Sequence, residues 1–333
     1  MVACTRRVAV TVCAAIALVL LGTSTARATT LYASSFEGSS LWKVDTVAQT
    51  ATQIWNTAPF GQQPDSLCFD GAGNILYSAH FPGGGVRRVN FTANTDTAVA
   101  MWSGHSTDLA LEPSLTSVLC SDYIDPNLRR VSLAGGATVL TTGHYFSGLA
   151  YVGNRLFANA GNTFQHGGDR IIEINPVSGA ILANQTPSNM VGSPAGYGDL
   201  DALTYDPFTG HLWTTDEASS SLIEADPNNL ATSFVVHPLP KSPSTGADLL
   251  PDGICSDGLG KLWFASRGDF NVYEYSITGG TTTPIVNING LDDLAPASGL
   301  GSSPEPGAGT LAIMSLGAMI VRRRAPSRDR RRV

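Results

Sequence analysis

The sequence predicts an all-β fold, a six-bladed β-propeller closed by pairing of its N- and C-terminal strands. Three observations carry that expectation. A strand–turn–strand motif recurs along the chain, each copy continues into two further short strands, and the two ends of the body hold complementary half-copies. The chain has 333 residues. Segment 1–28 reads as a signal peptide, 29–302 as the propeller and 303–333 as a separate tail. A single all-β domain can take up roughly 250 residues, so one body is the natural division.

The motif is plainest in two places. Pro64-Asp65-Ser66-Leu67-Cys68-Phe69 leads through Asp70-Gly71-Ala72-Gly73 to Ile75-Leu76-Tyr77. Pro251-Asp252-Gly253-Ile254-Cys255-Ser256 leads through Asp257-Gly258-Leu259-Gly260 to Leu262-Trp263-Phe264. Each is an apolar strand, a turn whose glycines permit positive φ, and a second apolar strand. Looser copies centre on Leu109, Leu149 and Leu203. Third strands follow at Gly85–Val89, Leu128–Val131, Arg170–Ile174 and Leu222–Ala225, and fourth strands at Thr138–Leu140 and Phe234–Val236.

The first-strand anchors are Leu67, Leu109, Leu149, Leu203, Ile254 and Leu294, spaced by 42, 40, 54, 51 and 40 residues. The body begins at Thr30-Leu31-Tyr32-Ala33, a second strand without a first. It ends at Leu291-Asp292-Asp293-Leu294-Ala295, a first strand without a second. The two halves make a sixth blade, and closure removes the exposed edges that an open solenoid would leave.

The ends read as export signals. Arg6 and Arg7 precede 14 apolar residues, Val8 to Leu21, and Ala26-Arg27-Ala28 supplies a small-x-small cleavage site. Ala26 and Ala28 flank that signal, and Thr29 is the expected mature start. At the other end, Pro304-Glu305-Pro306 precedes 15 uncharged residues, Gly307 to Val321, and then Arg322-Arg323-Arg324. Such a segment suits a short apolar helix held by basic residues on the cytoplasmic side.

Without its ends the chain is acidic. Between 29 and 303 stand ten Lys and Arg against twenty-five Asp and Glu, a net charge of about −15. That excludes nucleic acid and anionic lipid as natural partners and permits cation binding. Cys68, Cys120 and Cys255 lack metal-ligand spacing and sit in apolar strand patterns, where free buried thiols are expected.

The tail resembles the PEP-CTERM sorting signal in its three parts and their order. The resemblance implies exosortase as a partner and transient insertion in the inner membrane. It further implies cleavage near Pro304, Glu305 and Pro306, and a final place at the surface or in the extracellular matrix of a Gram-negative-type envelope. Exopolysaccharide or envelope proteins would be its contacts there.

No Gly-x-Ser-x-Gly elbow, His-Glu-x-x-His helix or phosphate loop is present. The chemistry on offer lies at the leading ends of the first strands: Asp65, Asp108, Ser147, Asp201, Asp252 and Asp292, with His105, His144 and Asp199 just upstream. A recurring Asp suits a structural cap, whereas two or three carboxylates on one axis suit a cation.

Pro251 to Cys255 with Gly260-Lys261-Leu262-Trp263 resembles a blade of the SMP-30/gluconolactonase family. It is also similar to NHL-repeat and streptogramin-lyase propellers. By the first resemblance Asp252 is a metal ligand and the candidate catalytic residue, acting in proton transfer. Asp201 stands where that family has an Asn ligand, and Asp292 where it has a Glu ligand. The lyases' His/Glu constellation has no counterpart that the sequence places. The expected function is therefore an exported, non-catalytic binding module. The alternative is a metal-dependent lactonase-like hydrolase or a lyase, with calcium or zinc at Asp201, Asp252 and Asp292.

Overall fold

The computed structural model describes residues 30–296 apart from 82, 123, 162–169, 183–198 and 231–233. The signal segment with Ala26 and Ala28, and the tail with Pro304, Glu305, Pro306 and its expected helix, lie outside those residues. Among the described residues no helix is long and apolar enough to cross a membrane.

Six small antiparallel sheets form the molecule. The first holds β1 (Thr30–Ser35), β2 (Ser40–Asp45) and β3 (Thr50–Asn56). The second holds β4 (Gln63–Phe69), β5 (Ile75–Phe81), β6 (Gly85–Asn90) and β7 (Thr95–Met101). The third holds β8 (Ser106–Leu111), β9 (Ser117–Asp122), β10 (Asn127–Ser132) and β11 (Ala137–Thr142). The fourth holds β12 (Tyr145–Val152), β13 (Arg155–Gly161) and β14 (Arg170–Ile174), with an isolated bridge from Ile174 to Ile181 beyond them. The fifth holds β15 (Leu200–Asp206), β16 (His211–Asp216), β17 (Ser221–Ala225) and β18 (Val235–Pro238). The sixth holds β19 (Pro251–Ser256), β20 (Lys261–Ser266), β21 (Asn271–Ser276) and β22 (Thr281–Asn287). The last strand, β23 (Leu291–Pro296), returns to pair with β1, Leu294 opposite Ala33. The fold is a six-bladed β-propeller, closed as the split repeat requires.

The hairpin turns obey the residues that build them. In the second blade Asp70 Oδ1 accepts from the N–H groups of Ala72 and Asn74, at 2.9 and 3.1 Å. In the sixth, Asp257 Oδ1 accepts from Leu259 and Lys261, at 2.7 and 3.0 Å. Gly71, Gly73, Gly258 and Gly260 have φ of 74°, 86°, 67° and 103°, a region closed to most residues. The glycines follow from the turn rather than from any ligand.

Apolar clusters fill the wedges between blades. Between the fifth and sixth lie Trp213, Leu222, Leu262, Phe264, Tyr273 and Tyr275, all buried. At the closing seam Leu31, Ala33 and Leu294 pack on Cys255, Trp263 and Ala265. Each fully buried side chain of this size contributes about 1.5–3 kcal/mol. Cys120 and Cys255 are buried, Cys68 is half-buried, and all three are free thiols.

One irregularity repeats in every blade. Between two successive pairs the innermost strand has three residues where its partner has two: Pro64 to Leu67, Ser106 to Leu109, Phe146 to Leu149, Leu200 to Leu203, Pro251 to Ile254 and Leu291 to Leu294. These are β-bulges, which leave two residues opposite one and re-aim their side chains.

Candidate functional site: the acidic axial mouth

The bulge sets the chemistry of the axis. Its first residue, two before each anchor, is Asp65, Thr107, Ser147, Asp201, Asp252 and Asp292 in blade order from the second to the first. Five of these match the sequence reading. Asp108 does not. It is the second bulge residue, so Thr107 takes the mouth position and Asp108 turns into a deeper cavity. Spacing counted from the anchor without the bulge places it one residue wrongly.

The residue facing each bulge on the second strand is Ser34, Ser78, Ser121, Asn159, Thr215 or Ala265. Four hydroxyls accept from a bulge N–H of their own blade: Ser34 from Asp293, Ser78 from Ser66, Ser121 from Asp108 and Thr215 from Ala202, at 2.8–3.1 Å. Each also donates to the carbonyl of the next blade's mouth residue. Ser78 reaches Thr107 at 2.6 Å, Ser121 reaches Ser147 at 2.9 Å, Thr215 reaches Asp252 at 2.5 Å, and Ser34 reaches Asp65. Asn159 Nδ2 does the same for Asp201 at 2.8 Å. A hydroxyl can donate one bond and accept others, so it serves both neighbours. Mouth residues are thus fixed by their backbones; the side chains of Asp65, Asp201, Asp252 and Asp292 line the mouth, whereas the hydroxyls of Thr107 and Ser147 bond Ser121 and the Leu200 carbonyl.

Two levels follow down the channel. The mouth is a cavity of about 240 Å³ whose walls include Asp65, Asp201, Asp252, Asp292, Glu217 and Arg267. Below it the six anchors line a smaller apolar cavity of about 80 Å³, which Asp108 and Asp293 enter. Ser66 Oγ donates to Asp108 Oδ1 at 2.8 Å, and the Leu149 N–H donates to Asp108 Oδ2 at 2.5 Å. Gly148 sits where the blades touch. A Cβ there would collide with the backbone of Asp201 and Leu203.

Within the mouth, one oxygen each from Asp201, Glu217 and Asp252 lies within 4.8 Å of the other two. Asp201 and Asp252 come from adjacent innermost strands, and Glu217 follows directly on β16. Arg267, following β20, reaches both carboxylates, with Nη1 3.3 Å from Glu217 Oε1 and Nε 3.5 Å from Asp252 Oδ2. Asp292 shares the cavity but stands apart from the trio, hydrogen-bonded to Asp65. On that side His80 Nδ1 lies 2.6 Å from Asp65 Oδ2, and its ring packs against His105 with centroids 4.6 Å apart.

Burial in this crowded site raises the acids. Asp201 is pushed up to about 6, against a hydrogen bond from Asp252 that partly offsets burial. Glu217 rises to about 7 through burial and the charge of Asp201. Asp252 is lifted well above the carboxylate range by burial, then by Asp201 and Asp292. Asp292 is lifted by burial and then by Asp65. The carboxylates hold Arg267 more firmly protonated, Asp252 first among them. Burial opposes protonation of His80, yet the bond to Asp65 wins and its value is raised. In the absence of a cation, protons held by Asp201, Asp252 and Asp292 relieve the repulsion.

The donor set fits a hard divalent ion. Three carboxylates less one guanidinium leave two negative charges, and all the donors are oxygen. Calcium takes six to eight oxygens, whereas zinc prefers nitrogen and sulfur. Of the two ions expected from sequence, the trio suits calcium. The carboxylate set also differs from the expected one. Asp201 and Asp252 converge, Asp292 does not join them, and Glu217 takes the third place.

Glu217 and Arg267 escaped the sequence reading, although the repeat carries their signal. Three residues beyond the anchor's partner on the second strand stand Phe36, His80, Glu217 and Arg267 in the first, second, fifth and sixth blades, and all four line the mouth. Aligning the repeats past the second strand exposes this outer ring.

No protein-family model matches the chain, and no curated protein matches it in sequence. Solved structures do match. A chain of a nidogen/laminin complex aligns over 83% of this chain and 100% of its own, with a TM-score of 0.63 and 13% identity. Hydrazine synthase of Kuenenia stuttgartiensis aligns over 74% and 73%, with a TM-score of 0.56 and 14% identity. A streptogramin B lyase aligns over 67% and 68%, with a TM-score of 0.50 and 16% identity. At such identities the likeness shows the fold alone: a six-bladed β-propeller with neighbours of streptogramin-lyase type.

Proposed function

We propose that the protein is an exported, non-catalytic binding propeller that holds a divalent cation in its axial mouth and uses that face for recognition. Convergence of Asp201, Glu217 and Asp252 within 4.8 Å carries this reading. Export by the signal segment and exosortase sorting at Pro304, Glu305 and Pro306 would bring the body to the surface or extracellular matrix of a Gram-negative-type envelope. There, polysaccharide hydroxyls or carboxylates of envelope proteins would complete the coordination of the cation. Binding is preferred to catalysis for a local reason. Arg267 already bridges Glu217 and Asp252, and Asp292, the Glu position of the gluconolactonase resemblance, lies off the cluster.

A second reading, a metal-dependent hydrolase or a lyase, draws support from the His80–Asp65 pair on the same cavity. A histidine oriented by a carboxylate is the common form of a general base. One experiment separates the two. Thermal shift with calcium and with zinc is measured on the wild type and Asp252→Ala, alongside lactone hydrolysis. Calcium stabilisation lost in the variant, with no turnover, supports the binding module. Lactone turnover that Asp252→Ala abolishes supports the enzyme. Absence of any calcium shift overturns the cation in both.

A further inference from the structure

The fifth blade bears a second cluster, at the opposite end of β16 from the mouth. His211 begins that strand, six residues before Glu217, roughly 20 Å along an extended chain. Glu224 lies on the adjacent β17 and His237 on β18 beyond it. The two imidazoles hold opposite oxygens of one carboxylate. His211 Nδ1 is 2.5 Å from Glu224 Oε1, and His237 Nε2 is 3.0 Å from Glu224 Oε2.

We propose that His211, Glu224 and His237 form a metal site of their own, for a borderline transition ion of the zinc class. The donor set is two imidazoles and one carboxylate, which suits zinc, copper or nickel and differs from the all-oxygen mouth. The ligands stand on three hydrogen-bonded strands rather than on loops. His237 is oriented from behind, as metal-bound histidines are. Its Nδ1 lies 3.0 Å from the hydroxyl of Tyr275 in the sixth blade, and the Trp213 ring packs against it at a tilt of 33°, with centroids 4.8 Å apart. Trp213 and Tyr275 are buried.

The proton balance is simple. Without metal, each imidazole can donate an N–H to Glu224. On binding, His237 shifts its proton to Nδ1, which donates to the Tyr275 oxygen, and Nε2 turns its lone pair to the ion. His211 shifts its proton to Nε2, toward solvent, and offers Nδ1. No proton need leave. Among the described residues only the mouth trio has its donor atoms within 4.8 Å of one another, so here the imidazoles must close toward one face of Glu224, a movement that the 37% exposure of the His211 side chain allows.

The test is calorimetric titration of the purified full-length protein with zinc chloride, and visible absorption with cobalt as a spectroscopic stand-in. One equivalent should bind, with the intense visible bands of tetrahedral cobalt. His237→Gln and Glu224→Gln should each abolish those bands. Tyr275→Phe, which leaves all three ligands in place, should weaken binding by about tenfold. Asp252→Asn, which alters only the mouth, should leave zinc binding unchanged, so this site and the calcium reading can fail separately. Near-ultraviolet circular dichroism checks that each variant is folded. No zinc binding by the wild type, or equal binding by folded His237→Gln, overturns the proposal.

Discussion

The Thr215 hydroxyl of the fifth blade donates to the backbone carbonyl of Asp252 in the sixth, at 2.5 Å. The same atom accepts the Ala202 N–H of its own blade at 3.1 Å. One side chain thus closes a bulge and pins a mouth residue of the next blade. Thr215→Val keeps the shape and removes both bonds. Leaving the two buried backbone groups without their partner should cost about 1–3 kcal/mol, read as a lower urea midpoint at unchanged slope. An unchanged midpoint would show that the bond holds nothing in place.

The equivalent position at the seam between the sixth and first blades is Ala265, which has no hydroxyl to give. There the blades are joined by apolar packing, and the ring closes within the first blade by the pairing of β1 with β23. Leu294 is 3% exposed at that seam, so Leu294→Ala should cost about 2–5 kcal/mol. Removing Leu291–Pro296 altogether should leave the β1 edge unpaired and drive aggregation. A monodisperse deletion variant with wild-type melting would contradict closure by the chain ends.

The fold was legible in sequence because a repeat must present the same residue types at the same strand positions. Leu67, Leu109, Leu149, Leu203, Ile254 and Leu294 announce themselves as anchors, and all six meet around one axial cavity. The site was legible only in part. Asp201 and Asp252 stand in the anchor strands and were found by the repeat. Asp108 was misplaced because a bulge adds one residue, a register detail that apolar patterning does not record. Glu217 and Arg267 lie just past their strands, where turn residues vary and the pattern is weakest.

Stability should depend on pH in an unusual direction. Asp201, Glu217 and Asp293 are raised to about 6, 7 and 7, whereas carboxyls in the unfolded chain release their protons near 4. Between those values the folded state binds more protons than the unfolded one, so stability falls as pH rises from about 5 to 7.5. His80, also raised, adds in the same direction, since its contribution is present at low pH and lost as pH rises through its folded value. Calorimetric melting in chelator should therefore give a higher Tm at pH 5 than at pH 7.5. The opposite order would mean that these acids are ionised in the folded protein.

Processing at the two ends is checked by mass spectrometry of envelope protein. Mature chains should begin at Thr29 and end near Pro304, Glu305 and Pro306. Peptides spanning Gly307 to Val321 in the final product would contradict sorting by exosortase.

The cation in the mouth is tested most directly by isothermal titration with calcium at pH 7.5 and pH 5.5, on the wild type, Glu217→Gln and Asp252→Asn. Metal and protons compete for the same oxygens. The wild type should bind one calcium at pH 7.5 and at least about tenfold more weakly at pH 5.5, a difference of roughly 1.4 kcal/mol or more. Either substitution should abolish binding at both values. A wild type that takes no calcium at pH 7.5, or a folded Glu217→Gln that takes it equally well, would contradict a site built on Asp201, Glu217 and Asp252.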